Sequence, residues 1–503
     1  MSRIVIIGGG ISGLASAGLL ARQGHDVTVL EKQPSIGGRA GSYEQDGFRW
    51  DTGPSWYLMP EVFDHWYRLM GTSAAEQLRL LTLDPGYRVF FEGVDAPLDI
   101  AASRDENLAL FEGIERGAGR RLGKYLDSAR ETYALAKSNF LYTTFADIRR
   151  VFTGEVIAKG ATFARLLLEP LSRLVARTVH DNRLRQVLGY PAVFLGSSPY
   201  TTPSMYHLMS HLDLEDGVLY PMGGFTRVIE SIAHLARAEG VTIVTDAAVS
   251  SITVVDGTAT GVSSTAGEFA ADVVVSAADL QHAETQLLPP ELQTYPQSYW
   301  DKRVPGPSAL LLYLGVEGAL PELEHHTLLF AKDWKKGFSQ IFDDGVIPSP
   351  ASLYICKPSG VDPDVAPAGH ENLFVLVPIP ADPALGRRGD PQIEELGDRI
   401  IAQIGEWAGI GDLASRIVTR HTVGPGDFAS ELNAWRGTAL GPAHTLRQSA
   451  FFRAGNKSKK VDGLYFVGGS SIPGIGLPMC LISAEILVKR LNGDTSTGPL
   501  ASL

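Results

Sequence analysis

The chain has 503 residues, 44% hydrophobic and 20% charged, enough for a large core and two or three structural regions. With 44 basic and 56 acidic residues the net charge is −12, which argues against nucleic acid as a bulk partner. Two distant cysteines, Cys356 and Cys480, exclude a disulfide framework, fit a reducing cytoplasm and suggest no metal site, and no run of about 18 apolar residues predicts a transmembrane helix.

The first predicted elements lie in "IVIIGGGISGLASAGLLARQGHDVTVLEK", residues 4–32. As a signal peptide this run is poor: Gly8, Gly9, Gly10 and Gly13 break it, and no cleavage-site context follows. As structure it reads as a strand at Arg3–Ile7, Gly8-x-Gly10-x-x-Gly13, a helix over 12–23 and a strand at Asp26–Leu30. Glu31 closes that strand, with Lys32 beside it, 18 residues after Gly13. That is a dinucleotide fingerprint in its required context. Gly8 permits the tight turn, Gly10 lets the backbone approach a pyrophosphate and Gly13 allows close helix–strand packing. The helix N-terminus at Ser12 faces the phosphates, and Glu31 accepts hydrogen bonds from ribose hydroxyls. Next, "PSIGGRAGSYEQDGFRWDTGPSW" (34–56) places Gly37, Gly38 and Arg39 where amides and a cation reach the far side of the pyrophosphate. A glycine-rich hairpin with a solvated arginine is the plainer alternative.

The insertion over 80–215 is mostly helical by pattern. Within it, "TTFADIRR" spaces Asp147 and Arg150 as on one helix face, where a surface ion pair is the commoner outcome. Residues 116–190 hold 14 Lys/Arg against 6 Asp/Glu. In "FARLLLEPLSRLVARTV" (163–179), Arg165, Arg173 and Arg177 stand among apolar residues, and Pro170 predicts two short helices. Such basic, apolar-rich helices suit a membrane surface, although a solvated basic face is the simpler reading. His207 and His211, four apart, read as packed or solvated residues rather than a metal pair. Trp56, Tyr57 and Trp435 suit either a cavity wall or the core. Residues 240–279 read as successive strands, the last buried over 271–278. The second insertion, 281–450, mixes the strand-like "SALLLYLGV" and "ENLFVLVPIP" with a helix over 391–408, predicting a substrate sheet. Finally, "DGLYFVGGSSIPGIGLPMCLISAEILVKRL" (462–491) repeats strand, glycine turn and helix, the helix at Leu477–Leu491.

The extension over 34–56 resembles the FAD-binding flavoproteins of the amine oxidase and desaturase group. Together with "GVLYPMGGFTRVIESIA", "LNAWRGTALGPAHTLRQSAFFR" and the C-terminal turn, these motifs resemble the bacterial-type phytoene desaturase family over nearly the whole chain. The resemblance implies an α/β protein with a Rossmann-like FAD-binding domain discontinuous over 1–79, 216–280 and 451–503. A helical substrate- and membrane-facing region at 80–215 and a mixed-sheet substrate region at 281–450 complete it. It implies that FAD is held by Gly8, Gly10, Ser12, Gly13, Glu31, Lys32, Gly38, Arg39, Gly53, Pro54 and Ser55. Val249 is then near the adenine, and Gly468, Gly469, Gly476, Leu477, Pro478 and Met479 are at the flavin, whose reduced anion the second helix N-terminus favours. The activity implied is desaturation of a linear, lipid-soluble carotenoid precursor by hydride transfer to the flavin. Oxygen or a quinone is the electron acceptor, and the enzyme is attached peripherally to a membrane. Asp147 and Arg150 match an Asp-x-x-Arg pattern of these enzymes and are the candidate catalytic pair. A carotenoid isomerase, a retinoid saturase-like enzyme, an amine oxidase and a non-catalytic FAD-bearing chaperone or prenyl-lipid binder are the alternatives. One departure stands out: the family's C-terminal turn often reads Thr-His-Pro-Gly-Ala-Gly, and the histidine position here is Ile472.

Overall fold

The computed structural model describes residues 1–151 and 153–503. Arg3–Ile7 forms the centre of a five-stranded parallel sheet, flanked by Val273–Ser276 and Leu464–Phe466 on one side and by Asp26–Leu30 and Thr242–Val244 on the other. A parallel strand is buried on both faces, and the run Ile4–Ile7 is apolar throughout for that reason. Ile4 and Ile6 join a core with the helices Ile11–Arg22, Gly224–Ala238 and Leu477–Leu491, while Val5 and Ile7 join the opposite one. The antiparallel meander Val249–Val255, Thr258–Ser264 and Gly267–Ala270 covers that second face. The register brings Ile7 level with Leu30 and Ser276, and Ser276 level with Phe466. Four strands therefore end together, and the chain order reverses about the central one, where open α/β sheets bind ligands.

A seven-stranded sheet stands beside it, in the order Ile417–Val423, Ser308–Glu317, His370–Ile379, Leu353–Cys356, His326–Phe330, Tyr87–Phe91, Leu98–Ile100. Its pairings are antiparallel except that between His326–Phe330 and Tyr87–Phe91. Side chains alternate across a strand. Leu310, Leu312 and Leu314 accordingly pack under the helix Pro391–Ala408 with Ile393, Leu396, Ile400 and Ile404. Ala309, Leu311 and Tyr313 face the other way, into a cavity.

The predicted strands and helices at both ends of the chain are present within one or two residues. The first insertion is mostly helical, as its pattern predicts, with strands that the pattern did not show. Tyr87–Phe91 and Leu98–Ile100 extend the second sheet, because an aromatic and β-branched run such as "YRVFF" fits a pleated, buried surface. Its helices include Ala118–Ala136, Gly160–Leu168, Leu171–Thr178 and Asn182–Gly189. Pro170 sits between the second and third in an extended conformation, so they are separate, as its missing N–H requires. Among the described residues no helix is long and apolar enough to cross a membrane.

Candidate active site

One cavity of about 1610 Å³ runs from the C-terminal ends of the parallel strands to the inner face of the second sheet. It exceeds the roughly 300–1,000 Å³ of an ordinary ligand pocket. At the sheet end it is lined by Gly8, Gly10, Ser12, Glu31, Lys32, Gly38, Arg39, Gly53, Pro54, Ser55 and Val249. From the C-terminal segment come Gly468, Gly469, Gly476, Leu477, Pro478 and Met479. Gly13 lies behind them. A Cβ on it would collide with the carbonyl oxygen of Gly8, whereas a Cβ on Gly10 would meet only Gly37 O, at 3.8 Å.

The chemistry of this end is that of an extended anion. The helices Ile11–Arg22 and Leu477–Leu491 both start at the cavity with no side chain capping their first N–H groups. Glu31 accepts the Gly9 N–H at 2.6 Å and the Gln33 N–H at 2.8 Å, which fixes its carboxylate where ribose hydroxyls would meet it. Arg39 has Nε and Nη2 buried without a hydrogen-bond partner, and its nearest carboxylate, Asp279 Oδ2, is 3.9 Å away. An orphaned guanidinium facing two uncapped helix ends fits a diphosphate, and the residues here fit FAD. Lys32 donates to Ser430 O at 2.7 Å and to Asn433 Oδ1 at 3.1 Å, at the edge of the cavity.

Beyond the nucleotide end the wall is aromatic and aliphatic. Trp56, Tyr190, Phe194, Leu208, Leu212, Leu328, Phe330, Leu353, Tyr354 and Leu376 line it. Trp56 is in ring contact with Tyr190 and Phe194 and stacks on His326 at 4.4 Å and 12°. Tyr57 and Trp435 are core residues and do not line the cavity. Exposed lining residues, Asn182, Lys332, Asp333 and Lys336, mark a mouth at the far end. Asp147 and Arg150 are not part of the lining. They lie at the short 3₁₀ turn Ile148–Val151, where Asp147 pairs with Arg149 at 3.0 Å and with Arg150 at 3.9 Å. Those arginines hold the Asp147 carboxyl below the usual carboxylate range. His207 bonds Ser128 at 3.0 Å and His211 bonds Glu215 at 3.0 Å, so the two rings have separate partners.

Two residues without a role in the sequence reading shape the C-terminal turn. Arg453, 6% exposed, donates to the carbonyls of Ser471 at 3.1 Å and Gln448 at 3.2 Å, and also to that of Gly469. Ile472 is buried in the core, yet an imidazole still reaches the turn. His444 Nδ1 donates to Leu195 O at 3.1 Å, leaving Nε2 against Gly474 with no room for a side chain between them. A basic residue within an apolar run, such as Arg453 in "SAFFRAG", was the only signal available in the sequence.

A parallel sheet with this glycine turn, a second helix aimed into the same cavity and a long apolar extension define a protein that holds an extended dinucleotide against an apolar substrate. The chain belongs to the flavin-containing amine oxidoreductase family, whose model matches residues 11–492, and its cofactor is FAD. It is 42% identical to a carotenoid 3,4-desaturase of Haloarcula japonica over 98% of each chain. It is 35% identical to a zeta-carotene-forming phytoene desaturase of Myxococcus xanthus, over 97% of this chain and 93% of that one. Among solved structures, a putrescine oxidase superposes with a TM-score of 0.63 at 14% identity, covering 98% of this chain and 99% of that one, a likeness of fold.

Proposed function

We propose that the protein desaturates a linear carotenoid or carotenoid precursor. The observation that carries this is the continuity of one cavity from the FAD-type end into a long aromatic and aliphatic wall. The relatives that act on carotenoids support it. Bound FAD supplies the hydride acceptor. The protein holds the dinucleotide through Gly8, Gly10, Ser12, Gly13, Glu31, Gly38, Arg39, the loop Gly53, Pro54 and Ser55, Val249 and the C-terminal turn. The apolar wall positions one C–C bond of a substrate that has no charged group to clamp, and it excludes water. The quadrupoles of Trp56, Tyr190, Phe194 and Tyr354 favour the delocalised positive charge that develops as hydride leaves.

The test is incubation of the FAD-loaded protein with phytoene, or with an acyclic conjugated carotene, in liposomes. Stepwise red-shifted bands are expected from one of the two. A change of band shape alone would make it an isomerase, and no spectral change a binding protein. Asp147 and Arg150 enter this proposal with the cavity geometry against them. Asp147→Asn is expected to keep its flavin, and a wild-type desaturation rate would remove both residues from the site.

The same reading has the cavity mouth served by a membrane surface. Asn182 borders that mouth, and the basic helix Leu171–Thr178 packs against the helix that begins there. Arg165 and Arg173 are exposed, as are Ile157 at 66% and Leu168 at 74%. Each basic residue near anionic lipid contributes about 1 kcal/mol, so Arg165→Glu with Arg173→Glu is expected to weaken liposome binding by roughly tenfold or more. Arg177 is a poorer probe because it pairs with Glu169. Co-sedimentation insensitive to salt and anionic lipid would overturn the attachment.

A further inference from the structure

Desaturation removes a proton as well as a hydride, and the apolar wall holds few groups that could take it. A polar chain crosses that wall beside Trp56. Ser55 Oγ lies 2.6 Å from Tyr354 Oη, and Tyr354 Oη lies 2.7 Å from His326 Nδ1. Ser55 and Tyr354 line the cavity, while His326 lies behind them, 0% exposed, with Nε2 unpartnered. Its ring is stacked on Trp56 and stands edge-on to His325 at 4.5 Å. A buried polar chain costs free energy wherever it is incompletely satisfied, so this one calls for an explanation that packing does not supply.

We propose that Ser55, Tyr354 and His326 form a relay that carries the substrate proton out of the cavity, with His326 as its terminal acceptor. This rests on the desaturase reading above. As hydride leaves for the flavin, the substrate is oxidised by two electrons. The adjacent C–H bond then breaks, its electron pair becomes the new π bond, and its proton passes to Ser55 Oγ. The Ser55 hydroxyl proton moves to Tyr354, the Tyr354 proton moves to His326 Nδ1, and the imidazole ends as imidazolium. A carbon acid beside a carbocation is so strong that a weakly basic imidazole suffices, and burial keeps His326 neutral and ready. The face of Trp56 at 4.4 Å stabilises the charged ring by a cation–π contact. Ser55 is the catalytic residue of the three in the sense of touching substrate; Tyr354 and His326 act through it.

The rival acceptor on the same wall is Asp213, reached through Tyr190 at 2.9 Å. Its Oδ2 also accepts from Tyr87 at 3.1 Å, while Oδ1 is buried without a partner, so the variants below decide between the two chains.

The relay requires His326 Nδ1 to be unprotonated at rest, which is measurable without turnover. In protein labelled with ¹³C and ¹⁵N at histidine, assigned by comparison with His326→Asn, the His326 resonances are expected to report the neutral Nε2–H tautomer. A proton on Nδ1 would overturn the proposal whatever the activity and whatever the desaturase reading. In turnover, His326→Asn keeps an acceptor for Tyr354 and cannot hold a proton. It is expected to retain FAD and polyene affinity while kcat falls by about 100-fold, within the range of general acid–base effects. Tyr354→Phe is expected to match it. A wild-type kcat in His326→Asn would overturn the relay, and its joint occurrence with a collapse in Asp213→Asn would assign the proton to Asp213.

Discussion

Gly10→Val is expected to give a folded protein that binds flavin more weakly, whereas Gly13→Val is expected not to fold. Both glycines belong to one fingerprint, and the structure separates their duties. At Gly13 the added Cβ collides with the Gly8 carbonyl, which is backbone at the end of the central strand and cannot move aside. The helix Ile11–Arg22 would have to shift off the sheet, a loss of about 4 kcal/mol or more. At Gly10 the protein itself has room, since the nearest atom stands at 3.8 Å. The branched side chain fills the space that a diphosphate needs. Overpacking of about 1–3 kcal/mol falls on the bound state alone, roughly tenfold or more in affinity. Thermal melting and flavin absorbance of the two purified proteins read both outcomes. A Gly10→Val protein that kept wild-type flavin affinity would displace the diphosphate from this turn.

How far the sequence reaches is set by the range of each interaction. The first strand, glycine turn and helix are local, each residue chosen by its neighbours within about 25 positions, and they were legible as elements. The same holds for Pro391–Ala408 and Leu477–Leu491, whose bounds follow from a proline at the start and an apolar period. Tyr87–Phe91 was lost among helices because its partner, His326–Phe330, lies more than 200 residues away. The apolar half of the cavity was invisible for a related reason. Alternation shows that Ala309, Leu311 and Tyr313 share a face, and only the folded chain shows that this face meets Trp50 and the cavity. Tyr354 is a single residue whose partner Ser55 comes from a distant segment, so no spacing announces it. Asp147 and Arg150 show the converse: a spacing with a family precedent lies outside the cavity, paired with its own neighbours.

Two segments that carry the family resemblance, "DTGPS" and "YPMGG", meet in space, and breaking that joint is expected to cost both stability and flavin. Asp51 ends the strand Phe48–Asp51. Its carboxylate accepts the Phe225 N–H at 2.7 Å, the Thr226 N–H at 3.0 Å and the Thr226 hydroxyl at 3.0 Å. It thereby caps the helix Gly224–Ala238, whose own N-cap, Gly223, has no side chain to do so. Gly224 has φ of 76°, and a Cβ there would stand 2.5 Å from Asp51 Oδ2, so both its conformation and its smallness are required. Asp51→Ala leaves three donors without their acceptor at about 1–3 kcal/mol for each that stays buried. Thr52 to Ser55 follow directly and line the cavity, so the loss reaches the cofactor site. Burial pushes the Asp51 carboxyl up, and its three donors pull it only part of the way back. Its folded value thus lies above its unfolded one, and the stability it contributes declines as pH rises from the unfolded value toward the folded one. Asp51→Asn removes that decline while keeping one acceptor, and is expected to be less destabilised than Asp51→Ala at neutral pH. Urea unfolding at several pH values, read beside flavin content, measures this. An Asp51→Ala protein with wild-type midpoint and full flavin would show that the joint holds neither the loop nor the helix in place.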